Sequence, residues 1–148
     1  MNMVAPARTP LQRPFRISLI AGPAAAAQAR RHVGAIITAW DVPVDADTAA
    51  LLTSELVTNA IKHGKLGNDS VQLVISWAYG QLRVEVHDRC KSGPVLVDAP
   101  CDAEAGRGLL LLASLCTNWG WRQTVTGKAV YFTLAAGDLP SGQAKTSR

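Results

Sequence analysis

Two neighbouring stretches of alternating residues constrain the fold of this chain more than any other feature. Apolar side chains recur at every second position in VQLVISW (residues 71–77) and again in QLRVEVHD (residues 81–88). Successive side chains of a strand point to opposite faces, so each stretch predicts a strand with one buried face. The intervening Ala78-Tyr79-Gly80 predicts a tight hairpin. The chain is therefore expected to contain an antiparallel sheet with one face in the core.

The remaining segments surround this hairpin with helices and further strands. In chain order they are a strand over 13–20, a helix over 24–40, a helix from Asp45 or Asp47 to His63, a helix over 109–116, and strands over 119–125 and 128–135. Residues 89–107 show no periodicity and predict a long loop, which in a small domain is usually functional or mobile. This order predicts an α+β protein, a two-layer α/β sandwich with a mostly antiparallel sheet and its helices on one face.

Length and composition indicate one globular domain. The chain has 148 residues, of which 48% are hydrophobic and 18% charged, enough to bury a sizeable core. Residues 1–12 contain prolines and arginines and predict a disordered N-terminal tail. The domain itself is expected over residues 13–136, and residues 137–148 form a polar C-terminal tail.

The charge and the cysteines narrow the class of partner. A net charge of +4 with scattered basic residues is too mild to indicate direct nucleic-acid binding, and no apolar run is long enough to span a membrane. Cys90, Cys101 and Cys116 show no CxxC spacing, which predicts reduced thiols in a cytoplasmic protein. Arginines before ISLIAGPAAAAQA loosely resemble a signal peptide, but Gly22-Pro23 interrupts the apolar segment.

The stretch SELVTNAIKHGK (residues 54–65) carries the first candidate site. At helical spacing, Glu55, Asn59 and His63 fall one above another on the border of an apolar arc. A carboxylate at such a border is costly without a partner, and a glutamate with an asparagine oxygen one turn away suits magnesium. The alternative is a solvated helix edge, with Asn59 and His63 close to the helix end at Gly64.

Three further stretches are candidates for ligand contacts. Asp88 lies where a predicted strand opens into the long loop, so its carboxylate is either a base-recognising acceptor or an ordinary turn aspartate. Gly106-Arg107-Gly108 opens a predicted helix, where free N–H groups attract phosphate, unless the glycines form a hinge. Lys128 begins the last strand, where it is either a ligand contact or a solvated lysine of the hairpin. A P-loop is excluded because the chain has no G-x-x-x-x-G-K-[ST] segment.

Taken together, ELVTNAIKHG, VEVHDRCKSGP, GRGLLLLASLCTNWGW and GKAVYFTL resemble the nucleotide-binding boxes of the GHKL ATPase/kinase superfamily. Their order and spacing are most similar to those of small bacterial anti-sigma factor kinases, in particular stand-alone ATP-binding proteins of actinobacteria. The resemblance covers residues 15–134 and implies the Bergerat, or histidine-kinase-like ATPase, fold. Four boxes in this order are specific, whereas each box alone is weak.

The resemblance also implies a role for each matching residue. Glu55 would be the general base, Asn59 would hold Mg²⁺ bridging the ATP phosphates, and Asp88 would bind the adenine amino group. Residues 89–107 would form a lid over the nucleotide. The triphosphate would be lined by Gly106, Arg107, Gly108 and Leu109, at the end of this lid. His63 and Lys128 would be lesser contacts to the nucleotide.

One position departs from the pattern of the superfamily. The usual motif is Asp-x-Gly with a later proline; here Cys90 replaces the glycine, while Pro94 stands where the proline belongs. If the backbone at Cys90 required a positive φ, its side chain would cost about 1–2 kcal/mol. The departure therefore affects the expected affinity for adenine more than the fold.

The resemblance implies a function in transcription regulation. The expected activity is a serine/threonine protein kinase that uses ATP and Mg²⁺ to phosphorylate an anti-anti-sigma partner and that sequesters a sigma factor. Relatives often form homodimers, which an exposed sheet edge would permit. The alternative is a non-catalytic switch that binds ATP, or no nucleotide, and grips a regulatory protein; Cys90 motivates it.

Overall fold

A computed structural model describes residues 13–63, 70–89 and 115–137 of the chain, apart from the side chain of His63. Five strands and two helices lie within these ranges. In chain order they are β1 (Phe15–Ile20), α1 (Ala25–Trp40), α2 (Ala46–His63), β2 (Ser70–Ala78), β3 (Gln81–Asp88), β4 (Asn118–Gln123) and β5 (Lys128–Ala135).

The strands form one sheet in the order β1-β2-β3-β5-β4. All four neighbouring pairs are antiparallel, which agrees with the mostly antiparallel sheet predicted from the sequence. The sequence-distant pair β3 and β5 is held in register from Gln81 opposite Ala135 to Asp88 opposite Lys128. This register places the end of β3 against the start of β5.

The hairpin between β2 and β3 turns at Tyr79 and Gly80, as predicted. Both residues have positive φ, 53° and 73° respectively, and Ala78 pairs directly with Gln81. A two-residue loop with positive φ at both positions is the type I′ turn, whose twist matches that of the flanking strands. Glycine adopts this conformation freely, whereas Tyr79 adopts it at a steric cost.

Both helices pack on the same face of the sheet, as the two-layer prediction requires. The apolar sides of α1 and α2 meet the inward-facing side chains of the strands in one core. The largest fully buried side chains come from both layers: Phe132, Leu52, Leu56, Leu73, Ile75, Leu82 and Leu134. Neither helix is long and apolar enough to cross a membrane.

The start of α2 settles which of two aspartates caps the helix. The backbone N–H and the hydroxyl of Thr48 both donate to Asp45 Oδ2, each at 2.8 Å. Asp45 is therefore the N-cap, because its side chain satisfies an N–H that the first helical turn leaves free. Asp47 lies within the first turn, where a negative charge favours the helix dipole.

Strand β4 ends earlier than the sequence pattern predicted, at Gln123 rather than residue 125. The cause is a turn in which the Thr124 N–H donates to the Gly127 carbonyl at 2.8 Å and the Gly127 N–H donates to the Thr124 hydroxyl at 3.0 Å. Thr124 and Gly127 form the next pair after Gln123 and Lys128 in the same register, so these bonds close the hairpin and leave residue 125 in its turn. The predicted helix over 109–116 is described only at its end, where Leu115 is helical.

Cys116 is half-buried and packs against the core. Burial raises the pKa of this thiol, which makes it a packing group rather than a nucleophile. Cys90 and Cys101 lie outside the described residues, as do the predicted N-terminal tail, the predicted C-terminal tail beyond Gly137 and the predicted lid beyond Arg89.

Replacing Tyr79 with asparagine should raise the free energy of unfolding by about 0.5–1 kcal/mol, because asparagine tolerates positive φ better than tyrosine. Little packing is lost, since Tyr79 is 95% exposed. Urea denaturation monitored by circular dichroism measures the change. Tyr79→Phe is the matched control and should leave the stability unchanged; a less stable Tyr79→Asn variant would contradict the strain assigned to this turn.

Candidate functional site

The polar border of α2 is the first part of the candidate site. Leu56, Val57 and Ala60 are buried beneath the helix, whereas Glu55 and Asn59 are half-buried beside them. This is the position that helical periodicity predicted for both side chains. His63 is the last residue of α2, and its side chain lies outside the described residues.

Asn59 and Glu55 have oxygen atoms without partners among the residues that the structure describes. The amide Oδ1 of Asn59 is buried and accepts no hydrogen bond within the described part of the chain. In the same ranges no hydrogen bond or ion pair engages the Glu55 carboxylate. A buried acceptor without a partner is costly, and amide and carboxylate oxygens are the ligands that magnesium prefers. The border of α2 therefore fits a divalent cation.

The topology directs this border and Asp88 toward the same end of the sheet. Six residues connect His63, at the end of α2, to Ser70, at the start of β2. The start of β2 lies beside the end of β3, since Gln72 pairs with His87. Helix α2 also packs on β3 and β5. The later turns of α2 and the carboxylate of Asp88 consequently belong to one region of the molecule.

Asp88 and Lys128 form a buried ion pair at this end of the sheet. The Lys128 ammonium donates to both carboxylate oxygens, at 3.1 Å to Oδ1 and 2.9 Å to Oδ2. The side chain of Asp88 is completely buried and that of Lys128 is 4% exposed. Neither the turn aspartate nor the solvated hairpin lysine considered for these positions therefore holds. Lys128 was predicted to contact the nucleotide, and the contact it makes in this structure is with Asp88.

Gly127 brings the β4–β5 turn against the backbone of Asp88. A Cβ atom at position 127 would lie 1.9 Å from the Asp88 carbonyl oxygen and 2.4 Å from the Arg89 Cα. No side chain fits at such distances, so only glycine allows this approach. The carboxylate of Asp88 is thus held by the ion pair with Lys128, while the backbone of Asp88 is held by the close approach of Gly127.

The predicted phosphate-lining residues Gly106, Arg107, Gly108 and Leu109 lie outside the described residues. Cys90 and Pro94 also lie there. Their roles stay predictions from the resemblance.

A cluster of charged side chains lies on the face of the sheet that points away from α1 and α2. This cluster was not predicted from the sequence. The Glu85 carboxylate accepts from Arg83 Nε at 2.7 Å, from His87 Nε2 at 2.8 Å and from Arg122 Nη2 at 3.2 Å. The Arg83 guanidinium also lies 3.8 Å above the centre of the Tyr131 ring. The alternation of Arg83, Glu85 and His87 was visible in the sequence, but the arrival of Arg122 depends on the pairing of β5 with β4.

This cluster keeps Glu85 ionised. The pKa of Glu85 is lowered to about 2, chiefly by the hydrogen bond from His87 and against the opposing effect of burial. The hydrogen bond from Arg83 and the positive charges of Arg83 and Arg122 lower this pKa further. Glu85 is therefore a permanent counter-charge on this face rather than a proton carrier near neutral pH.

The sequence profile of the histidine kinase-like ATPase domain matches residues 19–134, most of the chain. No protein of curated function is similar enough in sequence to match. Among solved structures, the fold matches that of the RsbU and RsbW domains of Rv1364c from Mycobacterium tuberculosis, with a TM-score of 0.63 and 22% identity. That match covers 84% of this chain and 32% of the other, so this chain spans about a third of that protein's length.

Replacing Glu85 with glutamine should destabilise the protein at pH 7 by at most about 3 kcal/mol, the free energy linked to its lowered pKa. A depressed pKa contributes stability that is present above the unfolded value of 4.5 and is lost as the pH falls toward about 2. The difference between wild type and variant should therefore shrink across that window. Urea titrations at pH 7, 5, 4 and 3 measure it.

Asp47→Asn, a carboxylate lost from an exposed position on α2, is the matched control for Glu85→Gln. It should cost only a few tenths of a kcal/mol, as helix-dipole contacts at exposed sites do. A Glu85→Gln variant as stable as this control at pH 7 would show that the cluster contributes nothing to folding.

Proposed function

Because the chain belongs to the family of histidine kinase-like ATPase domains, we propose that it binds ATP with Mg²⁺ and acts as an anti-sigma factor-like serine/threonine kinase. Its substrate is a serine of an anti-anti-sigma partner, and it regulates transcription by sequestering a sigma factor. One observation carries the proposal: the buried, unpartnered Asn59 Oδ1 lies one helical turn from a Glu55 carboxylate that no described residue neutralises.

Asn59 is the residue that holds Mg²⁺ in this proposal. Its oxygen is already desolvated, so binding a cation there removes an existing cost instead of adding one. Magnesium keeps most of its waters and takes one or two protein oxygens when phosphates supply the rest. A magnesium ion held by Asn59 would supply positive charge to neutralise the phosphates. Gly106, Arg107, Gly108 and Leu109 line the triphosphate, and His63 contributes a further contact.

Glu55 is the general base. Phosphoryl transfer depends on positioning and charge neutralisation more than on covalent chemistry. Glu55 takes the proton from the serine hydroxyl of the partner, the serine oxygen takes the γ-phosphoryl group, and ADP departs. A half-buried carboxylate that forms no ion pair with any described residue is available for this proton, and it need only reach the hydroxyl in the ternary complex.

Asp88 recognises the adenine amino group in this proposal. A buried carboxylate discriminates strongly among donors, because water does not compete for its oxygens. Complete burial of the Asp88 side chain also has a structural consequence. A base reaches this carboxylate only when the groups that cover it move aside.

The partners follow from the resemblance to anti-sigma factor kinases. The fold shared with a structure that includes an RsbW domain supports this class. A protein substrate has to dock over the region of α2 that carries Glu55. The proposed location is the cytoplasm, where sigma factors act, and a homodimer through an exposed sheet edge is compatible with this arrangement.

A second candidate function is a non-catalytic switch that grips a regulatory protein and binds ATP or no nucleotide. The observation that favours it is the Asp88–Lys128 pair, since the carboxylate assigned to adenine is already neutralised and buried. The substitution of Cys90 for the usual glycine points the same way. Binding and phosphate transfer have to be measured separately to distinguish the two functions.

Glu55→Gln should abolish phosphate transfer and leave ATP binding intact, since glutamine keeps the shape of the side chain but does not accept a proton. Transfer should fall by at least about a hundredfold, the lower range for loss of a general base. The assay incubates the protein with Mg-[γ-³²P]ATP and an anti-anti-sigma domain encoded by a neighbouring gene. Asp47→Asn, on the same helix, is the control and should transfer phosphate at the wild-type rate. Equal labelling by Glu55→Gln would remove the role given to Glu55.

Asn59→Ala should weaken ATP binding in the presence of Mg²⁺ and much less in EDTA, because it removes a metal ligand. Calorimetry of ATP binding with Mg²⁺ and in EDTA separates the loss of affinity that depends on the metal from the loss that does not. Asn118→Ala, at an exposed position of β4, is the matched control. If the wild type binds ATP with Mg²⁺ but labels no partner, the non-catalytic switch is the better description. If it binds no ATP at all, only the nucleotide-free form of that switch stands.

A further inference from the structure

Lys128 holds Asp88 in a way that limits which bases can bind. We propose that Lys128 is the specificity-determining residue of the nucleotide site and that it excludes guanine by occupying the two-oxygen position of the Asp88 carboxylate. This inference rests on the proposed binding of a nucleotide base at Asp88, and it adds a role for a residue that does not itself donate to the base.

The distances define where the Lys128 ammonium lies. It is 3.1 Å from Oδ1 and 2.9 Å from Oδ2, and both contacts are hydrogen bonds. A nitrogen atom bonded almost equally to both oxygens lies between them, on the side away from the carboxyl carbon. A carboxylate has one such position, and its remaining acceptor directions point outward, one from each oxygen.

The pair is built into the sheet. Asp88 and Lys128 are directly opposite at the last paired position of β3 and β5, and the close approach of Gly127 fixes the backbone beside them. Both side chains are at least 96% buried, with exposures of 0% and 4%. Separating them would leave an unpaired charge in the interior. Lys128 therefore stays on the carboxylate when a base arrives.

The two purines differ in the donors that they offer to a carboxylate. Guanine presents its N1–H and its 2-amino group side by side, and these two donors together match the two oxygens of one carboxylate. Adenine presents its 6-amino group beside N1, which is an acceptor. With the two-oxygen position taken by Lys128, the paired contact to guanine is lost, while the single amino contact from adenine to one oxygen is retained.

A test on the wild-type protein uses three nucleotides that differ only in the base. Inosine diphosphate has the N1–H of guanosine diphosphate but lacks the 2-amino group, so their affinity ratio reports whether the paired contact forms. Calorimetry should show ADP binding most tightly, with GDP and IDP equal to within about twofold. A site with an open two-oxygen position would prefer GDP over IDP by roughly tenfold, the value of one charge-assisted hydrogen bond.

Lys128→Gln should open the position, because the glutamine side chain is one atom shorter than that of lysine and its amide nitrogen does not extend to the point between the two oxygens. In this variant the affinity for GDP should exceed that for IDP by roughly tenfold. The ratio of the affinities for ADP and GDP should become smaller than in the wild type. A purely structural role for Lys128 would weaken all three nucleotides by the same factor and leave both ratios unchanged. Arg122→Gln, which removes one positive charge from the opposite face of the sheet, is the matched control and should keep the wild-type ratios.

The outcomes distinguish a failure of the role given to Lys128 from a failure of the proposed function. A wild type that binds ADP but prefers GDP over IDP by tenfold overturns this inference and leaves the proposed function standing. A folded Lys128→Gln variant with unchanged ratios does the same. If that variant fails to fold by circular dichroism, the wild-type ratio of GDP to IDP decides. Binding of none of the three nucleotides overturns the proposed base recognition, and this inference with it.

Discussion

The packing of α2 on the sheet is the constraint from which the rest of the candidate site follows. The helix buries Leu52, Leu56 and Val57 completely or nearly so, and this fixes its rotation about its own axis. Glu55 and Asn59 then lie half-buried at the edge of the buried strip, where no described residue pairs with the Glu55 carboxylate or the Asn59 Oδ1. A rotation of α2 that exposed Glu55 and Asn59 to solvent would also expose Leu52 and Leu56. Core packing therefore holds Glu55 and Asn59 in place.

A second constraint joins β3 to β5. The antiparallel register sets Asp88 opposite Lys128, and the buried ion pair together with the contact at Gly127 stabilises that end of the sheet. The two constraints act on different elements but on the same region, since α2 packs on both strands. In the function proposed above, the border of α2 would hold the cation and the end of β3 would bind the base.

Local features of the structure were readable from the sequence, and contacts between distant segments were not. Alternation gave β2, β3 and their turn, and helical spacing placed Glu55 and Asn59 on a border. The GHKL resemblance carried the family, which the profile match over residues 19–134 confirms. The partner of Asp88 depended on a pairing that spans 40 positions. Periodicity contains no information on such a pairing, so the contact between Lys128 and Asp88 could not be predicted from the sequence.

The central claim is that Asn59 and Asp88 bind opposite ends of one nucleotide. The most direct measurement is a crystal structure of the protein with Mg²⁺ and a non-hydrolysable ATP analogue. The account predicts Mg²⁺ at about 2.0–2.1 Å from Asn59 Oδ1, with the adenine amino group donating to Asp88 and Lys128 still on that carboxylate. A nucleotide bound elsewhere, with the Asn59 side chain facing solvent, would contradict it.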